Sequence, residues 1–328
     1  MTTLQLQPVD SVQLTTLVDN VSDALLGDQG PAKRVGLASS GAMPRIPAPT
    51  LEGGETPEAL RAEHGFSALI TITQAGRERR ILFDTGISPD GLVENMRRLS
   101  LSPKDIDVIV LSHGHYDHTT GLSGFVRAVG RANLPVIIHP DFWTQRRIAV
   151  PGRDPVELPS TSRSALLGAG FEITEERRPS FLLDGAVLIT GEVDRTTEFE
   201  KGMAVHQALR GGEWQPDPLI LDDQALIVHV RNKGLLVLSG CGHAGIVNIV
   251  RYARVLTGAD DVYAVIGGFH LSGPLFEPII APTVDALAAL TPQVIVPAHC
   301  TGWRAQHAIA ARLPEAFIQN SVGTRFEL

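Results

Sequence analysis

Apolar residues recur along this chain at two spacings. Residues 12–18 (VQLTTLV) alternate apolar and polar positions and are rich in β-branched side chains, which predicts a strand. Residues 67–74 and 80–83 predict a hairpin that turns at Ala75-Gly76-Arg77. Apolar runs at 106–111, 136–139, 181–190, 225–230, 234–239, 262–267 and 294–298 predict further strands. Leu122, Phe125, Val126 and Val129 repeat at helical spacing, and helices are expected at 245–257 and 284–290. Mixed strands and helices in one chain of this length predict two sheets packed together with helices outside.

Two stretches break the pattern. Residues 27–63 are rich in Gly and Pro and too long for a plain connection, so they are expected to form a lid or insertion beside the site. Residues 195–218 lack periodicity but carry Phe199 and Trp214, and are expected to form a second active-site loop. With no internal repeat or long low-complexity block, residues 1–328 read as a single domain.

Composition narrows the function. The 328 residues carry 28 Lys+Arg against 36 Asp+Glu, a net charge of −8, which argues against a dedicated nucleic-acid binder. No basic-then-apolar leader and no apolar run of ~18 residues is visible, so a cytoplasmic protein with no membrane contact is expected. Two cysteines, Cys241 and Cys300, cannot build a disulfide framework, and each has a histidine close by.

The strongest chemical signal is Ser112-His113-Gly114-His115-Tyr116-Asp117-His118, directly after an apolar run. Residues two apart point the same way in extended backbone, so His113 and His115 can share one metal while Asp117 and His118, past the bend, face a neighbouring one. Imidazole and carboxylate suit zinc, manganese or iron, and two such ions ~3.5–4 Å apart can activate water and polarise a substrate oxygen. Two zinc ions are the first expectation, with manganese or iron as alternatives.

This HxHxDH pattern, with Phe83-Asp84-Thr85-Gly86 before it, resembles the metallo-β-lactamase superfamily. The resemblance implies an α/β, four-layer αββα sandwich with the site where strand ends of both sheets meet. It implies a last metal-ligating histidine near the C-terminus, a place His299 fits, and a supporting role behind the metal loop for Asp84. Two departures leave the second metal position open. Leu221-Asp222-Asp223-Gln224 stands where a Gly-His-Thr motif is usual, and Ser239-Gly240-Cys241-Gly242-His243 replaces the usual strand-end aspartate. Cys241, His243, His270 or Asp222 could complete it.

Residues 239–248 (SGCGHAGIVN), 267–271 (GGFHL) and 299–302 (HCTG) further resemble a narrower branch, as do Leu17-Val18-Asp19-Asn20 and His64-Gly65-Phe66-Ser67. Its members are described as 7,8-dihydropterin-6-ylmethyl-4-(β-D-ribofuranosyl)aminobenzene 5′-phosphate synthases. His270 is expected to line the site or bind metal, His139 to be structural or to support the site from behind, and His206, His229 and His307 to be ordinary. The Gly242–Gly245 turn opening a helix offers free backbone N–H groups where a phosphate or carboxylate could dock.

These residues predict a metallohydrolase with a small-molecule substrate, in which Asp117, His243 and His270 assist the chemistry. The rivals are the branch's synthase reaction, with Phe199, Trp214 and Phe269 around a flat ring, a redox iron centre on the same fold, and a sensor without catalysis. Substituting His115 or His118 should lose metal, and substituting His206 should do little.

Overall fold

A computed structural model of the chain describes residues 3–37, 43–131 and 133–328. An eight-stranded sheet runs in the order Glu172–Glu175, Pro135–Ile138, Val108–Val110, Arg77–Phe83, Ser67–Gln74, Ser11–Val18, Arg325–Glu327, Ala32–Lys33. A six-stranded sheet runs in the order Ser180–Leu182, Val187–Ile189, Leu226–Val230, Gly234–Ser239, Val262–Gly268, Val294–Ala298.

Three apolar layers glue these sheets into the expected αββα sandwich. Between the sheets, Leu14, Ile70, Ile81 and Phe83 of the first meet Val228, Leu236, Ile266 and Val296 of the second. On the outer face of the first sheet, Leu82, Ile109 and Val136 pack on Leu92 and Met96 of helix Gly91–Arg98 and on Phe125 of helix Leu122–Val129. On the outer face of the second, Val237, Val265 and Ile295 pack on helices Ile246–Thr257, Ile280–Ala289 and Trp303–Arg312 through Ile249, Leu287 and Ile309. Sheets covered on both faces need apolar side chains at successive positions, which explains the unbroken runs in the sequence. Each such side chain, moved out of water, contributes about 1.5–3 kcal/mol.

The site follows from strand direction. Gly234–Ser239, Val262–Gly268 and Val294–Ala298 are parallel neighbours, so their carboxyl ends lie side by side and deliver Cys241, His270 and His299 to one edge. In the other sheet Arg77–Phe83 and Val108–Val110 are also parallel, and their ends carry Asp84 and the His113–His118 loop. Ligands of open α/β sheets gather at such carboxyl ends.

Several boundaries differ from the pattern-based expectation. The 67–83 hairpin turns on Ala75 and Gly76, both at positive φ (49° and 75°), so Arg77 belongs to the second strand. The run 181–190 is not one strand: Asp184 and Gly185 at φ 56° and 88° fold it into two short antiparallel strands. The helix expected from 284 begins at Ile280, with Pro282 in its first turn, where a missing N–H costs no hydrogen bond. Helices Gly91–Arg98 and Trp303–Arg312 were not expected.

The two insertions behave differently. Of 27–63, residues 38–42 lie outside the described residues. The rest adds Ala32–Lys33 to the sheet edge and fastens to helix Gly91–Arg98 through Asn95, which donates to Arg61 O at 2.8 Å. The stretch 195–218 is no plain loop. His206–Arg210 and Glu213–Pro216 form a hairpin that joins Arg146–Ile148 and Val156–Leu158 in a four-stranded sheet. No helix among the described residues is long and apolar enough to cross a membrane.

Candidate metal centre

The loop after Val108–Val110 is held from behind by Asp84. Its Oδ1 accepts from the Ser112 N–H (2.7 Å), and its Oδ2 accepts from Ser112 Oγ (2.7 Å) and lies 2.7 Å from His118 Nδ1. That partner fixes the His118 tautomer and leaves Nε2 to face the site. Thr85 next in the turn donates twice to His118 O, from N at 2.7 Å and Oγ1 at 3.0 Å. Gly114 is required by proximity: a Cβ there would stand 2.1 Å from the Phe142 carbonyl oxygen.

Two donor groups converge in front of this support. One joins His113, His115 and His243; the other joins Asp117, His118, Cys241 and His299, with ligand atoms in each group within 4.8 Å of one another. In the first, His115 Nδ1 lies 3.0 Å from His113 Nε2 and 3.2 Å from His243 Nε2. In the second, His118 Nε2 lies 3.1 Å from Cys241 Sγ, and His299 Nε2 lies 3.3 Å from Asp117 Oδ2. A third group, Cys241, His243 and His270, shares two members with these.

The electrostatics suit a cation. Burial, reinforced by neighbouring imidazoles, holds His113, His115 and His243 well below the ordinary histidine range, so their lone pairs are free at neutral pH. Burial also opposes charge on His118, but the Asp117 and Asp84 carboxylates outweigh it and raise this group to about 9, so an ion held at its Nε2 would displace a proton. Burial works against ionisation of Asp117 too, yet the neighbouring His118 and His299 imidazoles keep it well below the usual carboxylate range. Burial pushes the Cys241 thiol up. Among the described residues, the buried ring nitrogen His299 Nε2 has no hydrogen-bond partner. Converging neutral imidazoles, a carboxylate, a thiol and this orphaned nitrogen fit divalent metal ions, which coordination would satisfy.

The motif at the end of the first strand serves His299. Asp19 Oδ1 accepts from His299 N (2.7 Å), and Asn20 Oδ1 lies 3.1 Å from His299 Nδ1, which turns Nε2 toward Asp117. His64, mostly exposed, stands at the rim, with Nε2 3.6 Å from Asp117 Oδ2.

His270, at φ 45°, holds its ring 4.2 Å from that of His243 at a 50° tilt and borders a cavity of about 190 Å³. Phe199, Lys201, Phe269 and Phe276 also line this cavity. Trp214 does not: its ring lies under the Arg147 guanidinium at 4.5 Å. Asp222 is not in a donor group. It accepts from the Gly114 N–H (2.8 Å) and pairs with Arg146 (3.0 Å), tying down the loop instead.

Two readings of the sequence are corrected. The helix N-terminus after Gly242–Gly245 is not open to an anion, because the chain supplies its own carboxylates. Glu200 accepts from Val247 N and Asn248 N at 2.9 Å each, and Asp223 accepts from Ala244 N at 2.8 Å. His206 is not ordinary either: it is fully buried with Nε2 2.9 Å from His115 Nε2. Among the others, His139 accepts from the Asp141 N–H at 3.1 Å, and His307 packs on Trp303.

Beneath His206 lies an ion network of the buried Arg146 and Asp217 with the half-buried Arg210, which sequence reasoning also missed. Burial raises the Asp217 carboxyl, but hydrogen bonds with His206 and Arg210 and the Arg146 charge overcome this and hold it at about 2. A carboxyl depressed on folding stabilises the fold above its unfolded pKa, and that contribution fades as pH falls toward the folded one. Asp217→Asn is therefore expected to lower stability at neutral pH, with the deficit shrinking below pH ~4 and gone near pH 2. Denaturation midpoints of the metal-free proteins across that range check this, and a pH-independent deficit would refute it.

The fold is that of one family. A model of the metallo-beta-lactamase superfamily matches residues 61–299, and the chain belongs to that superfamily. It is 34% identical over 264 residues to the 7,8-dihydropterin-6-methyl-4-(beta-D-ribofuranosyl)-aminobenzene-5′-phosphate synthase of Methanocaldococcus jannaschii, covering 78% of this chain and 87% of that one. An uncharacterized protein of the same organism is 36% identical over 245 residues, covering 74% and 86%. The crystal structure of a metal-dependent hydrolase of the beta-lactamase superfamily superposes with a TM-score of 0.69 at 24% identity, over 97% of this chain and 99% of that chain, a likeness of fold.

Proposed function

We propose that this protein is a metallohydrolase with a dinuclear centre, zinc by preference, acting on a small phosphorylated or ester-type metabolite. The observation that carries this reading is the pair of adjacent donor groups, one of three imidazoles and one mixing carboxylate, imidazole and thiol. His113, His115 and His243 would hold one ion, and Asp117, His118, His299 and Cys241 the other. Such ions, when bound, activate water and polarise a phosphoryl or carbonyl oxygen.

The chain's own groups do the rest. Asp117 has a side chain 13% exposed and stays ionised, so it can accept a hydrogen bond from an attacking water and orient it. The cavity beyond His243 and His270 receives the substrate. Lys201 and Glu200 both line the cavity, the Glu200 carboxylate being taken up by the Val247 and Asn248 N–H groups.

The experiment is turnover of bis-p-nitrophenyl phosphate, beside simple lactone and ester probes, with and without chelator. Chelator-sensitive cleavage is the expected result. A metal-loaded protein that cleaves none of these probes would overturn the hydrolase reading. The second reading, carbon–nitrogen bond formation between a pterin and an aminobenzene ribotide, is favoured by the name of the 34%-identical relative and by the three phenylalanines around the cavity. Mass-spectrometric detection of the joined product from those two reactants would establish it.

A further inference from the structure

We propose that His206, backed by Asp217, is a positioning residue that holds His115 in the tautomer able to bind metal. This rests on the two-metal reading above and adds to the centre a residue from a separate sheet.

His206 Nδ1 lies 3.2 Å from the backbone carbonyl oxygen of Asp217 and 3.5 Å from its carboxylate Oδ2. Both are acceptors only, so Nδ1 carries a proton, and in the neutral ring Nε2 is then bare. That bare nitrogen faces His115 Nε2 at 2.9 Å; two ring nitrogens so close need a hydrogen or a cation between them, and because His206 belongs to no donor group it is a hydrogen here. The hydrogen therefore belongs to His115 Nε2, which leaves His115 Nδ1 with its lone pair. This is the atom that lies 3.0 Å from His113 Nε2 and 3.2 Å from His243 Nε2, facing the first donor group. A carbonyl two side chains away thus decides which nitrogen of His115 meets the ion.

The same buried arginine anchors both ends of this relay. Arg146 pairs with Asp217 at 3.3 Å and with Asp222 at 3.0 Å, while Asp222 accepts from the Gly114 N–H between the two loop histidines. Arg210 holds the second oxygen of Asp217 at 3.0 Å. In the four-stranded sheet Ala208 is the register partner of Arg146, so strand pairing sets His206 at a fixed height beside the loop. His206, Arg146 and Asp217 are each at most 5% exposed, and none reaches the cavity. Outer partners of metal-ligating histidines fix ring orientation and raise basicity, and losing one typically weakens metal binding ~10–100-fold.

The test compares wild type with His206→Leu, which fills the space without an acceptor, and His206→Gln, whose amide oxygen can take the place of the bare nitrogen. Zinc dissociation constants are measured at one fixed pH by competition with a chromophoric chelator, and cobalt-loaded samples give the ligand-field spectrum. His206→Leu is expected to weaken one of two zinc equivalents ~10–100-fold and to perturb the cobalt spectrum, while His206→Gln restores most of the affinity. Unchanged zinc affinity in His206→Leu overturns the relay, and so does equal weakening in both variants, which would mark mere packing. Wild type that takes up two zinc ions beside an unaffected His206→Leu refutes the relay alone. Wild type that takes up none removes the two-metal reading and the relay with it.

Discussion

Replacing His118 with alanine is expected to leave the protein with at most one bound metal ion and to lower turnover by more than the ~100-fold that an outer partner can cost. His118 contributes through both nitrogens: Nδ1 sits 2.7 Å from Asp84, and Nε2 faces Cys241 at 3.1 Å. Alanine removes a ligand from the second group and leaves Asp84, which is fully buried, short of a partner. His115→Ala is expected to do the same to the first group. Elemental analysis of dialysed variants with turnover on the same samples checks both, and variants that keep wild-type metal and activity would refute the assignment.

Asp84→Asn is expected to destabilise the metal-free fold by about 3–5 kcal/mol, the range for breaking a buried charge pair. Asparagine is the sharp substitution because Asp84 sits at φ 56°, a conformation Asn tolerates, so backbone strain is not introduced. What changes is the donor balance. Three donors, Ser112 N, Ser112 Oγ and His118 Nδ1, converge on two carboxylate oxygens. An amide offers one oxygen and turns an NH2 toward a donor that is then buried without an acceptor. Urea denaturation at pH 7 measures the difference, and a loss within about 1 kcal/mol would contradict the role given to Asp84.

The parts of the fold that could be read from the sequence are those where one physical rule dominates. Strands covered on both faces must be apolar throughout, so 234–239 and 294–298 coincide with the observed strands Gly234–Ser239 and Val294–Ala298. The residues delivered by their ends, Cys241 and His299, then stood out as polar groups beside apolar runs. The loop His113–His118 was legible because its ligand-type residues are adjacent in the chain.

What stayed hidden depends on contacts between distant residues. Glu200 caps a helix 47 residues further along, and no local pattern marks a carboxylate for that task. His206 became a partner of His115 across 91 residues through a sheet of very short strands. One signal was present: Gly211-Gly212 between two short runs marks a hairpin, and both glycines take positive φ (61° and 85°). Asp184-Gly185 likewise announced the break inside 181–190. The supposed anion site at the helix N-terminus failed because composition shows which N–H groups are available in principle, whereas burial decides which of them the chain satisfies itself.

The central claim is that two donor groups make two metal positions. Elemental analysis of the protein purified without added chelator, quantified against protein concentration, tests it most directly. The account predicts about two equivalents of zinc, or of manganese in its place, falling to about one in His115→Ala with the rest retained by Asp117, His118, Cys241 and His299. A protein that binds at most one equivalent under saturating metal, or whose metal content is unchanged in His115→Ala, would contradict it.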